Sequence, residues 1–316
     1  MPQGKIVKTA STLYTVRETA GVRETAGVHE TAGGCEAEKL HSGENVWLCR
    51  PRGRFRRDGI APLAGDEVLF EPYRDGNGVL TEILPRRNSL VRPPVANIDR
   101  LIIVVSAAPP VTARLMIDSM TALAAFKGIE PVICINKTDL APGAELAELY
   151  ASLGYATVSV SAADGSGLDA LAARLRGAFC VLTGNSGVGK SSLINRLYPG
   201  FEARTGGLSE KIGRGRQTTR HVELLATEDG GYVADTPGYS CFDAVEMEMT
   251  DAGRLPFCFP EFAGYLGGCR YSDCSHVRDD GCAVLAAVAE GKIAVSRHES
   301  YVRLYERVKD LKQWEM

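Results

Sequence analysis

The sequence lacks any uninterrupted run of about 18 apolar residues, the length that a membrane-spanning helix requires. The first five residues also lack the apolar core of a signal peptide. Apolar residues make up 45% and charged residues 24% of the 316-residue chain, a balance typical of a soluble globular protein. We therefore expect a cytoplasmic protein that makes no membrane contact, and its length favours two or three domains.

The chain also lacks a large net charge and an even number of cysteines. A formal net charge of −3 gives no overall attraction to nucleic acid, so any such contact must depend on a local basic patch. Nine cysteines cannot all pair in disulfides. Three of them cluster near the end of the sequence, which points to a metal site.

The chain is organised around a glycine-rich segment that matches the phosphate-loop pattern G-x-x-x-x-G-K-S. A strand-like run at 180–183 precedes it and a helical pattern at 192–197 follows. Glycines let backbone N–H groups turn toward a polyphosphate, and the helix N-terminus adds a positive dipole. We expect Lys190 to reach the β- and γ-phosphates and the Ser191 hydroxyl to ligate Mg²⁺. The predicted phosphate-binding residues are Gly184, Asn185, Ser186, Gly187, Val188, Gly189, Lys190, Ser191 and Ser192.

The identity of the base follows from an N-K-x-D motif at 136–139, after an apolar run at 131–135. The Asp139 carboxylate can accept two hydrogen bonds from the N1–H and N2–H₂ edge of guanine, which adenine cannot supply. The motif alone is also a good surface turn, but with a phosphate loop it predicts GTP. A Ser-Ala turn at 161–162 can present a backbone N–H to guanine O6. The predicted guanine-binding residues are Asn136, Lys137, Thr138, Asp139, Ser161 and Ala162.

The order of these motifs is reversed relative to an ordinary GTPase, in which N-K-x-D follows the phosphate loop. A parallel sheet can be rewired by joining its old ends and opening a loop elsewhere, and the same strands then still pair. We therefore predict a circularly permuted GTPase whose site is assembled from the usual parts.

Two nucleotide-sensing segments are predicted downstream of the phosphate loop. Asp235-Thr236-Pro237-Gly238 matches D-x-x-G, so Asp235 would hold Mg²⁺ through water and the Gly238 N–H would meet the γ-phosphate. In the Gly- and Arg-rich segment 213–220, either Thr218 or Thr219 would complete the Mg²⁺ shell. The predicted catalytic residues are Lys190, Ser191, Thr218, Thr219, Asp235 and Gly238, with Ser191 and Asp235 as Mg²⁺ ligands.

Residues 1–92 carry five short strand-like runs separated by Gly and Asp turns. This favours a small barrel of the five-stranded oligonucleotide-binding (OB) type. The segment 50–57 contains five arginines and one aromatic residue, Phe55. This composition suits contacts with a phosphate backbone and stacking on bases. A solvated charged loop is the alternative. The candidate RNA-binding residues are Arg50, Arg52, Arg54, Arg56 and Arg57.

A Pro- and Arg-rich linker at 84–94 leads into residues 93–243, which we assign to the GTPase domain. Unbroken apolar strands alternate there with helical patterns, which indicates a parallel α/β sheet covered on both faces. Strands are predicted at 101–105, 132–135, 156–160, 181–183, 222–225 and 232–235, and helices at 113–126, 144–153 and 168–175.

Residues 244–316 are predicted to form a small helical zinc-binding domain. The pattern C-x₄-C-x-H-x₅-C supplies three thiolates and one imidazole, a closed tetrahedral Zn²⁺ shell with a structural role. Three reduced cysteines in a small core are the alternative, and Cys258 is a less favoured competing ligand. The predicted zinc ligands are Cys269, Cys274, His276 and Cys282.

Helices are predicted at 283–289 and 296–314. The second has apolar residues at three- and four-residue spacing. Its basic residues are assigned to an outer face that is solvated, with RNA contact as the alternative: Arg297, Arg303, Arg307, Lys309 and Lys312.

Together, these motifs resemble the circularly permuted ribosome small-subunit-dependent GTPase A family. The resemblance covers nearly the whole chain: a small barrel, a permuted GTPase and a Cys/His module. It implies a Mg²⁺-dependent GTPase that binds GTP and GDP, with one structural Zn²⁺. It further implies that the protein binds the small ribosomal subunit and its rRNA late in assembly, and that the subunit stimulates hydrolysis. We expect a monomer.

Two features depart from the family pattern, and a third departs from the pattern of Ras-like enzymes. Family members often carry His before the T-T pair, where this chain has Gln217. Tyr239 occupies the position of the water-orienting Gln of Ras-like enzymes, which predicts slow intrinsic hydrolysis. Near-identical hexapeptides beginning at Val16, Val22 and Val28 are foreign to the family, and we assign them no function. The rival functions are an RNA-binding protein whose nucleotide only sets affinity, and a permuted GTPase acting on another structured RNA.

Overall fold

The computed structural model describes residues 1–10, 12–19, 46–57, 59–73, 75–199, 222–235 and 248–310. Most of the hexapeptide repeat therefore lies outside the described residues, as do Gln217, Thr218, Thr219, Gly238 and Tyr239. Among the helices that are described, none has the length and apolar character that crossing a membrane demands.

The described residues divide into two compact units. The first holds those of Met1–Arg87, Pro94–Asn97 and Arg216–Leu224. The second holds those of Asn88–Pro93, Ile98–Gly215 and Leu225–Met316. The domain boundaries at 92/93 and 243/244 stay predictions.

Five strands of the first unit form a barrel: β1 (Gln3–Ala10), β2 (Leu13–Glu18), β3 (Val46–Pro51), β4 (Glu67–Pro72) and β5 (Asn77–Ile83). β1 pairs antiparallel with β2 and β4, β2 with β3, and β4 with β5, while β3 runs parallel to β5. Each strand therefore has two neighbours and the barrel closes, as predicted. Alternate side chains point inward, and Ile6, Val16, Val68, Phe70 and Leu80 are fully buried.

The Arg-rich segment after β3 is more ordered than a charged loop. Gly53–Arg57 forms a short helix, α1. Phe55 is buried in the barrel core, so the prediction that it stacks on a base is wrong. Arg52 pairs with Glu71, with 2.8 Å between Nη2 and Oε1.

The predicted linker also contains structure that its composition did not indicate. Two short strands, β6 (Ser89–Leu90) and β7 (Val95–Ala96), lie in and just after it. Leu90 and Val95 are buried, so the few apolar residues among the prolines pack in the interior. Arg86 forms a bidentate ion pair with the fully buried Asp66.

The second unit contains the predicted parallel sheet. Its strands, with β12 at the boundary of the two units, are β8 (Arg100–Ser106), β9 (Glu130–Asn136), β10 (Ala156–Ser159), β11 (Phe179–Thr183), β12 (Val222–Ala226) and β13 (Tyr232–Asp235). Its first four helices are α2 (Arg114–Lys127), α3 (Ala144–Ser152), α4 (Leu168–Leu175) and α5 (Lys190–Leu197).

Five of these strands are parallel and lie in the order β10-β9-β8-β11-β13. From β8 the chain steps to β9 and β10 in one direction, and from β11 to β13 in the other. Ligands of open α/β sheets bind beside the carboxyl ends of the strands at such a reversal. The topology therefore places the site where β8 and β11 end.

Residues 252–308 belong to the same unit and form two 3-10 segments, Ala252–Cys258 and Pro260–Phe262, and two helices, α6 (Ala283–Ala289) and α7 (Val295–Val308). Arg303, Arg307 and Lys309 are exposed, as predicted. Arg297 is 1% exposed, so its assignment to the outer face is wrong. Acidic partners on distant segments stabilise it in the interior, and helical spacing carries no information about such partners.

Candidate nucleotide and metal sites

The phosphate loop leaves the end of β11 in a conformation that glycine alone permits. Gly184 has φ 145°, and a Cβ added to it would lie 2.2 Å from the carbonyl oxygen of Val104. At the other end of the loop, Lys190 is the buried first residue of α5. Its ammonium donates to the carbonyls of Gly184 (2.7 Å) and Asn185 (3.0 Å), which places the charge inside the loop.

Asn136 of the N-K-x-D motif connects the phosphate loop to the Ser-Ala turn. Its side-chain amide donates to the carbonyl of Val188 over 2.8 Å, and its carbonyl oxygen accepts the N–H of Ala162 over 3.1 Å. The side chain is 1% exposed, so both bonds are shielded from water. A Cβ added to Gly189 would lie 2.3 Å from Asn136 Nδ2. The glycine is needed for this approach.

Asp139 is exposed, but one of its oxygens is held by the interior. The buried Ser161 donates its hydroxyl to Asp139 Oδ1 over 2.7 Å. Thr138 donates its hydroxyl to the carbonyl of Val160 over 2.9 Å, which fixes the loop to the chain just after β10. The carboxylate is thereby oriented before any ligand arrives, which reduces the entropy lost on binding.

Like the phosphate loop, the D-x-x-G motif begins at the carboxyl end of a strand of the parallel sheet. Asp235 ends β13 and stands in register with Leu182 of β11. The side chain of Asp235 lies outside the described part of the chain. Ser191 is partly buried in the first turn of α5, and Ser192 is exposed. The backbone topology thus brings Asp235 and Ser191 to the same side of the sheet, where the parallel strands have their carboxyl ends.

Sequence reasoning missed the loop between β8 and α2. Lys137 Nζ donates to the carbonyl of Pro109 over 3.1 Å. A Cβ added to Gly187 would lie 3.5 Å from Cγ of Pro110, so this proline ring packs beside the phosphate loop. The position of the loop was the available signal, since it follows a strand whose carboxyl end faces the site.

The four predicted zinc ligands come together. Their donor atoms all lie within 4.8 Å of one another. His276 Nδ1 is 3.5 Å from Cys269 Sγ and 3.4 Å from Cys282 Sγ, and these two sulfurs are 3.9 Å apart. Tetrahedral bonds of about 2.3 Å to sulfur and about 2.0–2.1 Å to nitrogen place donors roughly 3.6–3.8 Å apart, so the cluster fits Zn²⁺.

Neighbouring groups support this assignment. The backbone N–H of Ala283 points at Cys269 Sγ and that of Leu285 at Cys282 Sγ, at 3.3 and 3.5 Å. Such donors stabilise sulfur ligands in the thiolate form. Cys258 lies outside the cluster of described donors. It is therefore a poor competitor for the metal.

A phosphate loop and an N-K-x-D motif that meet on one parallel sheet, with N-K-x-D first in the chain, define a circularly permuted P-loop GTPase. The family model described as RsgA GTPase matches residues 83–245, and the RsgA N-terminal domain matches residues 39–80. The chain belongs to the RsgA GTPase family and is a GTP hydrolase.

Known relatives agree over most of the chain. The small ribosomal subunit biogenesis GTPase RsgA of Caldanaerobacter subterraneus is 44% identical over 265 residues, which are 83% of this chain and 88% of that protein. YjeQ from Thermotoga maritima has a TM-score of 0.75 at 33% identity, over 98% of this chain and 99% of its own. YloQ, a circularly permuted GTPase, has a TM-score of 0.73 at 30% identity, over 99% and 96%. The predicted permutation is confirmed.

Proposed function

We propose that this GTPase binds the small ribosomal subunit and acts as a checkpoint late in its assembly, and that the subunit stimulates GTP hydrolysis. The observation that carries the proposal is the Asn136 side chain, which joins the phosphate loop at Val188 to the Ser-Ala turn at Ala162. This contact assembles one nucleotide site from motifs in permuted order. The names of the relatives supply the ribosomal partner.

Each site residue has a proposed role. Asp139 selects guanine, and the Lys190 ammonium neutralises charge that develops on the β- and γ-phosphates. Ser191, Asp235 and one of Thr218 or Thr219 would hold Mg²⁺. When bound, this ion would offset negative charge on the phosphates. The chain's own task is to fix the phosphates for in-line attack by water.

The test is GTP turnover measured as purified small subunits are titrated in. We expect slow turnover alone and a large rise with subunits. Lys190→Ala should abolish both, because the phosphates lose their buried cation. Turnover that subunits leave unchanged would favour the rival function, an RNA-binding protein whose nucleotide only sets affinity.

We also propose that the barrel contacts rRNA through its basic residues. Arg50 is exposed, whereas Arg52 pairs with Glu71 and Arg54 donates to a backbone carbonyl and lies 5.4 Å from the Phe55 ring centroid. We therefore expect Arg50 to contribute more than Arg52 or Arg54 to the binding of a phosphate. Arg50→Ala should weaken co-sedimentation with subunits more than Arg52→Ala does. It should also reduce the dependence of log affinity on log salt by about 0.7–0.9.

The remaining assignments follow from this role. We propose three domains, at 1–92, 93–243 and 244–316, one structural Zn²⁺ in the last, and a cytoplasmic monomer. Sedimentation equilibrium checks the oligomeric state: a mass near 33.9 kDa is expected, and a dimer mass would contradict it.

A further inference from the structure

A buried ionic cluster joins helix α7 to helix α2. Arg297 of α7 is 1% exposed, and arginine is almost never this buried unless it is paired. Its guanidinium donates to Glu261 through Nε (2.6 Å) and Nη2 (3.2 Å). It also donates through Nη1 to the buried Asp118 of α2 (2.5 Å). Burial lowers the pKa of Arg297, but the bonds to Glu261 and the charge of Asp118 outweigh it and raise that pKa, so the side chain stays charged.

Aromatic side chains complete the enclosure of this cluster. The guanidinium carbon of Arg297 lies 4.7 Å from the ring centroid of Phe259. Tyr150 donates its hydroxyl to Asp118 Oδ1 over 2.6 Å, and Arg297 Nη2 lies 3.4 Å from the Tyr155 hydroxyl. Apolar residues of similar volume are often as stabilising as a buried ionic cluster, so stability alone does not explain these charges. The planar fork of arginine, however, accepts few arrangements of its partners. The cluster therefore defines how α2 and α7 lie against each other.

Helix α2 leads from this ionic cluster toward the proposed nucleotide site. Asp118 lies four residues after Arg114, where α2 begins, a distance of about 6 Å along a helix. The loop 106–112 leads into α2, and its two ends are tied by a hydrogen bond from the Ser106 N–H to Thr112 Oγ1 (3.2 Å). The N-terminus of α2 is therefore continuous with a loop whose two ends are tied together.

The same loop contacts both halves of the nucleotide site. The carbonyl of Pro109 accepts a hydrogen bond from the ammonium of Lys137 in N-K-x-D, and the Pro110 ring packs beside Gly187 of the phosphate loop. The backbone N–H of Ala107 donates to the carbonyl of Asn136 over 2.9 Å. The loop that leads into α2 thus contacts the segments that are proposed to meet the base and the phosphates.

Helix α7 is also attached to the zinc-binding loop. Tyr301 donates its hydroxyl to the carbonyl of Ser275 over 2.6 Å, and His298 Nε2 lies 2.8 Å from the carbonyl oxygen of His276. Helix α7 therefore contacts both the metal-binding loop and α2.

We propose that Arg297 is a positioning residue for GTP binding. By holding Asp118 it fixes α2, and through α2 it keeps Pro109 and Pro110 against Lys137 and Gly187 in the arrangement that GTP requires. The inference rests on the nucleotide site proposed above. Because Arg297 is enclosed by protein, it acts on binding rather than on the reacting atoms.

The test compares Arg297→Met with Arg303→Met, which removes an exposed arginine from the same helix. We expect Arg297→Met to raise KM for GTP and Kd for GDP by about tenfold and to leave kcat within about twofold. Arg303→Met should change neither. Arg297→Lys keeps the charge but loses the fork, and should recover only part of the affinity.

A second variant separates positioning from folding. Arg297→Met combined with Asp118→Leu and Glu261→Leu removes every charge of the cluster, so its melting temperature should return toward that of the parent while its Kd for GDP stays raised. Asp118→Asn, which keeps the side-chain shape, supplies the same comparison if Arg297→Met does not fold. Parent-like nucleotide affinity in a folded cluster variant would overturn the inference.

The two proposals fail in different ways. If Lys190→Ala weakens nucleotide binding and Arg297→Met does not, only the positioning role is wrong. If Lys190→Ala also binds GTP like the parent, the assignment of the site itself is wrong.

Discussion

The side chains of Asp139 and Ser161 form a hydrogen bond of 2.7 Å between a residue at the surface and one in the interior. Ser161 is fully buried, and it also accepts the N–H groups of Ala163 and Asp164. The carboxylate that is proposed to read guanine is therefore oriented by the turn that follows the neighbouring strand. This bond joins two motifs that are 22 residues apart in the chain.

Asp139→Asn should exchange the base preference. Asparagine presents an N–H₂ donor to the guanine amino group, so GTP affinity should fall by about 10³-fold or more. Xanthosine triphosphate carries a carbonyl in place of that amino group and should bind better than GTP. Competition against labelled GDP measures both, with Asp169→Asn on the exposed face of α4 as the control. Unchanged GTP affinity in the Asp139 variant would remove the residue from the site.

Gly189→Ala should disconnect the two halves of the site. Both Gly189 and Gly128 have positive φ, 98° and 67°, so alanine at either costs about 1–2 kcal/mol of backbone strain. Only at Gly189 would the new Cβ also meet Asn136, 2.3 Å from Nδ2. Gly128→Ala should lose that stability in urea unfolding and keep GTP affinity, while Gly189→Ala should lose at least about tenfold in affinity as well. Equal GTP affinities of the Gly189→Ala and Gly128→Ala variants would show that the Asn136 contact is dispensable.

Zinc removal should loosen the end of the chain. We expect one Zn²⁺ per chain by metal analysis, and its removal by a chelator should lower the melting temperature, because the binding free energy of a closed site contributes to folding. Cys282→Ser should lose the metal, whereas Cys258→Ala, at a buried thiol outside the cluster, should keep it. Metal retained in Cys282→Ser and lost in Cys258→Ala would reverse the ligand assignment.

Arg86→Met should destabilise the barrel. Its guanidinium pairs with both oxygens of Asp66, at 2.7 and 2.8 Å, and the side chain of Asp66 is 0% exposed. Removing one partner of such a pair leaves a buried charge and costs about 3–5 kcal/mol. Chemical unfolding should show this loss, and Arg50→Met at an exposed position should stay within about 0.5 kcal/mol of the parent. A similar result for the two variants would mean that Asp66 finds another partner.

Local patterns predicted most of the secondary structure. Helix α4 and strand β13 begin and end where the pattern placed them, at Leu168–Leu175 and Tyr232–Asp235. Hydrophobic periodicity is a property of neighbouring residues, so it can be read from the sequence. The short strands β6 and β7 were missed because two residues are too few to show a period.

The sequence by itself determined the motif order, the family and the four candidate metal ligands, since each depends on residue type and spacing along the chain. Only the tertiary structure decided that Phe55 and Arg297 are buried, that Pro109 contacts Lys137 and that Pro110 packs beside Gly187. The reason is that burial depends on partners elsewhere in the chain. Arg297 and Asp118 are 179 residues apart, and no local pattern records that they will meet.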